Sequence, residues 1–126
     1  NILQSGEGQL LQLFNINNEF ANEWNLFKTA ANNIDRKLVL NVNMNNFPYW
    51  TKPLGMDDTI VATFCSIDWK KNRLTIATEN QNFDGDADNG WSLTIDNTKA
   101  IPFNFLNKIR TENRMAYVAV SYKAKS

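Results

Sequence analysis

The sequence predicts an all-β fold, an antiparallel β-sandwich of about six to eight short strands with one short helix. Three observations predict it. Residues 37–45 (KLVLNVNMN) alternate strictly, with Leu38, Leu40, Val42 and Met44 on one face and Val39, Asn41, Asn43 and Asn45 on the other, the period-2 signature of a strand with one wet side. Further β-branched and apolar runs at 59–68, 73–78, 91–95 and 114–123 are separated by residues that favour turns. Helical spacing marks one stretch, where Phe20, Trp24 and Phe27 fall at i, i+4 and i+7.

The elements follow in chain order. Residues 1–9 (NILQSGEGQ), with Gly6 and Gly8, read as a linker-like segment, and residues 10–126 as a single β-sandwich domain. The first residue is Asn1 rather than Met and no signal peptide is visible, so the chain reads as a mature product or a piece of something larger. Residues 10–16 (LLQLFNI) form a first strand. Asn17 or Asn18 caps the helix, because an Asn side chain accepts from an orphan amide of the first turn. Glu19 and Glu23 near its start and Lys28 near its end suit the macrodipole. Phe20, Trp24 and Phe27 then pack as a lid on a sheet. After the alternating strand, Asn46-Phe47-Pro48-Tyr49-Trp50 breaks the ladder and Pro53-Leu54-Gly55 supplies a turn. Residues 59–68 (TIVATFCSID) are apolar on both faces, which places them centrally. Residues 70–72 turn the chain and 73–78 return as a hairpin partner. Residues 79–90 read as a polar loop, and Trp91, Leu93 and Ile95 point inward from the strand after it. Pro102 stops a long continuation, residues 103–109 form a short irregular or helical connection, and 114–123 make a last strand, apolar on both faces.

Composition excludes several function classes. Thirteen basic and thirteen acidic residues cancel, so no long-range field recruits nucleic acid or an anionic membrane. Lys70, Lys71 and Arg73 cluster locally, as in a solvated turn. No apolar run approaches the roughly 18 residues of a membrane-spanning segment. Cys65 is the single cysteine, which leaves no intrachain disulfide, and its apolar setting predicts a buried, inert thiol. The chain has no histidine. That removes Ser-His-Asp and Cys-His catalysis and the usual imidazole ligands of zinc. No glycine-rich phosphate loop is present. Asp57 with Asp58, or Glu79 with Asp84, are the carboxylate pairs a glycosidase would need, but nothing in their surroundings predicts a raised pKa. The expectation is a non-enzymatic domain.

Two sets of residues are candidate binding sites. Asp84, Asp86 and Asp88 place three carboxylates at alternate positions, and calcium takes six to eight oxygens. The loop departs from an EF-hand, with Gly90 at the seventh position rather than the sixth and Ile95 at the twelfth. A solvated acidic hairpin loop, turned by Asn89-Gly90, is the alternative reading. Tyr49, Trp50 and Trp69 lie at turns or strand ends, where exposed aromatics stack on sugar rings or anchor a protein interface. Packing at the sandwich rim is the alternative there. Trp24 and Trp91 belong to the core.

The pattern of Phe14, Phe20, Trp24 and Phe27, followed by LVLNVNMNNFPY, resembles the C-terminal β-rich region of A-component-like proteins of bacterial toxin complexes, the Tc insecticidal toxins. Phe47-Pro48-Tyr49 fits the family's strand-closing element, and Phe20-Ala21 stands where Phe-Pro is commoner. Trp91 to Ile95, then Met115 to Tyr122 with a short basic tail, resemble the final strands. The resemblance spans residues 14–123, on aromatic and aliphatic motifs of modest specificity. It implies a docking role, with a B-type toxin component or another assembly subunit as the protein partner, within a larger secreted bacterial protein. No catalytic residue comes with it. A lectin-like module, using Tyr49, Trp50 and Trp69 on a glycan and calcium at Asp84, Asp86 and Asp88, is the alternative expectation.

Overall fold

A computed structural model describes residues 2–5, 9–47 and 60–123. Among these the chain runs β1 (Ile2–Ser5), β2 (Gln9–Asn15), α1 (Ile16–Glu19), α2 (Ala21–Thr29), β3 (Leu38–Val42), a 3-10 turn (Met44–Asn46), β4 (Ile60–Asp68), β5 (Arg73–Ile76), β6 (Gln81–Asn82), β7 (Asp84–Asp86), β8 (Gly90–Ile95), α3 (Ala100–Thr111) and β9 (Tyr117–Lys123). The strands form two antiparallel sheets. A six-stranded sheet has the order β1-β2-β9-β4-β5, with β6 also on β4, and a three-stranded sheet has the order β3-β8-β7. The architecture is mostly β and sandwich-like, as the alternating runs predict.

The core lies between the sheets and is closed by the helices. Strand β4 pairs with β9 on one side and with β5 and β6 on the other, the central place expected of a strand apolar on both faces. Its register sets Ile60, Ala62 and Phe64 opposite Tyr122, Val120 and Val118, all buried on the inner face. Leu38, Leu40 and Val42 of β3 meet Ile95, Leu93 and Trp91 of β8, also buried. Phe47 joins the two layers: its ring centroid lies 4.6 Å from that of Tyr122, 6.3 Å from that of Phe14 and 6.0 Å from that of Trp91. Trp24 stacks on Phe27 at 5.3 Å, and Phe27 meets Phe103 of α3 edge-on at 5.9 Å. Phe20, Trp24 and Phe27 are therefore the lid that their spacing predicts.

Three helices replace the single one expected. Asn15, not Asn17 or Asn18, caps α1 by accepting from the Asn17 amide at 3.0 Å, while the Asn17 side chain accepts from the Ala116 amide. Phe20, at φ −129° and ψ 45°, interrupts the helical path and divides it into α1 and α2. The third helix, α3, bears out the helical alternative for residues 103–109 and extends it back through Pro102, read as a strand stop, to Ala100. Pro102 sits in its first turn, where a missing N–H costs nothing because that donor has no helical partner. Phe103, Leu106 and Ile109 form its buried stripe.

Three strands also lie where composition suggests none. β1 falls within the linker-like residues 1–9, and β6 and β7 within the polar residues 79–90. Strand β3 ends at Val42 because Asn43 and Asn46 satisfy each other's backbone amides in a capping box, a local alternative to the ladder.

Arg36 is a buried charge that ties the helix layer together. Its guanidinium donates to the carbonyls of Phe27 at 2.6 Å, Lys28 at 3.2 Å and Ala30 at 2.8 Å, and it lies over the Phe27 ring. It thereby satisfies the orphan carbonyls at the end of α2. Burial, and secondarily the charge of Arg110, pull its pKa down.

Candidate functional site

The inner face of the six-stranded sheet packs on α1 and α3 and shares one buried core with α2 and the smaller sheet. Its outer face carries the other half of each strand's alternation. The register brings Val61, Thr63, Cys65 and Ile67 of β4 beside Ser121, Ala119 and Tyr117 of β9, with Leu11 and Leu13 of β2 on one flank and Leu74 and Ile76 of β5 on the other. None of these eleven side chains is charged. Trp69, just beyond β4, is 67% exposed, Leu74 55% and Ile76 48%. The Trp69 indole donates to the Tyr117 hydroxyl at 3.4 Å, so the two aromatics sit side by side. Cys65 is buried yet stands apart from the main core cluster, and burial pushes its thiol pKa up. It remains a neutral thiol beneath this surface.

The surface is sizeable. Strands about 4.8 Å apart set these side chains in one continuous patch, half-buried over most of its extent and exposed at Leu74, Ile76 and Trp69. Apolar patches of about 300–600 Å² on a monomer are often functional. An interface of ordinary size takes about 800 Å² from each partner, so this patch would form a part of one, with none of its eleven side chains charged.

The residues named from sequence are placed differently from one another. Trp69 belongs to the apolar outer face. Tyr49 and Trp50, and the pair Asp57 and Asp58, lie outside the described residues. Asp84 and Asp86 are on β7, paired with Ser92 and Gly90 of β8. The Asp86 carboxylate accepts from the Asn89 amide at 2.8 Å and from its side-chain nitrogen at 3.1 and 3.3 Å, so it closes the turn carrying Asp88 and Asn89. Gly85, at φ 128°, lies so close to the Gly90 carbonyl that a Cβ would collide with it. This is hairpin architecture. Among the described residues, no three His, Cys, Asp or Glu side chains gather to hold a metal ion.

Leu74, Ile76 and Tyr117 were missed by sequence reasoning. The available signal was that 59–68 and 114–123 are apolar on both faces. Among the described residues the helices lie on the inner side of this sheet, and Leu74 and Ile76 on the outer side are exposed. No helix among the described residues is long and apolar enough to cross a membrane. No protein-family model, curated protein or solved structure matches the chain.

Proposed function

We propose that this chain is a non-enzymatic docking domain that binds a protein partner through the outer face of its six-stranded sheet. The observation that carries the reading is the uncharged face from Leu11 to Ile76, with Trp69, Leu74 and Ile76 exposed at one side. Covering the exposed Trp69, Leu74 and Ile76 side chains removes apolar area from water, at about 25 cal/mol per Å² before association costs. Trp69 and Tyr117 are the aromatic anchors around which such energy concentrates. The resemblance to toxin-complex A components supports a B-type component as the partner and a larger secreted protein as the setting.

The test is the dissociation constant for a B-type component, measured on the wild-type domain and on a Leu74→Asp, Ile76→Asp double variant. Saturable binding, weakened at least about tenfold by the two buried charges, is expected. Equal binding by both proteins would overturn the reading. Trp69 also supports a glycan as the second reading, because an exposed indole beside Tyr117 offers a ring face to a sugar. Binding on a glycan array that disappears in Trp69→Ala would favour it.

A further inference from the structure

On the opposite side of β4, the inner faces of β4 and β5 and one side of α3 enclose a cleft of about 300 Å³. We propose that this cleft binds a small phosphate-bearing anion. It is independent of the docking face.

The lining is built from three separate parts of the chain. Lys71 from the turn and Arg73 from the start of β5 belong to the β4–β5 hairpin, Lys108 comes from α3, and Arg114 from the segment leading to β9. Asp68 and Glu112 are the acids that line it. One Asp68 oxygen already accepts from the amides of Lys70 and Lys71, at 3.1 and 3.3 Å. Glu112 lies 3.5 Å from Arg114. Lys71, Arg73 and Lys108 have no carboxylate within ion-pair distance among the described residues. Four cations therefore face two carboxylates, and both carboxylates already have donors.

Ser66 supplies the second observation. It lines the same cleft, is 1% exposed, and its Oγ has no hydrogen-bond partner. Folding normally pairs a buried hydroxyl, and an anionic oxygen in the cleft would accept from it. Phosphate suits the set, because guanidinium and ammonium groups donate to its several oxygens in charge-assisted bonds. The volume lies at the small end of ligand pockets, so it admits inorganic phosphate or a small phosphomonoester and not a folded chain. The sequence shows only the Lys71 and Arg73 part of this site, as an unremarkable basic turn.

Calorimetric titration of the whole chain at fixed ionic strength tests the proposal. One arm uses inorganic phosphate, the second glycerol phosphate, and Lys28→Gln serves as a control distant from the cleft. Saturable one-site binding is expected, weakened about tenfold or more in an Arg73→Gln, Lys108→Gln variant and little changed in Lys28→Gln. Tighter binding of glycerol phosphate identifies an ester as the ligand, and equal or weaker binding identifies the free anion. Ser66→Ala should melt no lower than wild type without ligand, yet bind phosphate more weakly. Three results would each overturn the proposal: no saturable binding in either arm, the same loss in Lys28→Gln as in the cleft variant, or unchanged affinity in Ser66→Ala.

Discussion

The apolar residues on the two faces of β4 meet opposite fates. Ile60, Ala62 and Phe64 turn inward and are fully buried in the core cluster. Val61, Thr63, Cys65 and Ile67 turn outward beneath a surface that ends in exposed Trp69, Leu74 and Ile76. The inner residues stabilise the isolated domain, because their burial is complete within it. Of the outer ones only Cys65 is buried already, and Val61, Thr63 and Ile67 contribute fully only when something else covers them. Apolar character on both faces of a strand therefore marks a central strand, and does not say whether the second cover comes from the same chain.

Breaking the inner side should have the largest effect. Phe47 is 1% exposed and contacts aromatics of both sheets. Phe47→Ala should cost about 3–5 kcal/mol of unfolding free energy in a urea titration, the usual cost of an aromatic core truncation. Arg36→Met comes next. It removes three hydrogen bonds to the end of α2 and should cost about 1.5–3 kcal/mol by the same measurement, without changing the outer face.

The pH dependence gives a smaller effect. Asp96 accepts from the hydroxyl and the amide of Thr98 in the turn before α3. These bonds hold its carboxyl below the ordinary range; partial burial opposes them, and Lys99 and Lys37 add to them. The folded pKa is thus lower than the unfolded one. The stabilisation is fully present above the unfolded value of about 3.9 and is lost as pH falls through the folded value. Asp96→Ala should cost about 0.5–1.5 kcal/mol at neutral pH, and the gap should close below about pH 4 in denaturation curves. The smallest effect belongs to the outer face. Leu74→Thr with Ile76→Thr should change stability by about 0.5 kcal/mol or less, as for ordinary surface substitutions.

Much of this architecture was legible. β3 and β8 show their buried sides directly in Leu38, Leu40, Val42, Trp91, Leu93 and Ile95, and the Phe20, Trp24, Phe27 lid shows in its spacing. β6 and β7 were not legible, because Gln81, Asn82, Asp84 and Asp86 join the sheets through backbone ladders and carry no hydrophobic period. α3 was legible in part: residues 103–109 allowed a helical connection, but its start at Ala100 was masked by Pro102, which reads as a stop until its place in a first turn is seen. At the candidate site, Trp69 was visible as an exposed aromatic. Leu74, Ile76 and Tyr117 became site residues only once the sheet order showed which face the helices cover. The phosphate cleft was least legible, since Lys71 and Arg73 meet Lys108 and Arg114 through tertiary folding alone.

Amide hydrogen exchange on the domain with and without a bound B-type component tests the docking face most directly. Added protection is expected in β5, in the turn carrying Trp69 and in the neighbouring strands β4 and β9, with no change in β3, β8 and β7. Protection confined to the three-stranded sheet, with β5 and the Trp69 turn exchanging as in the free domain, would contradict it.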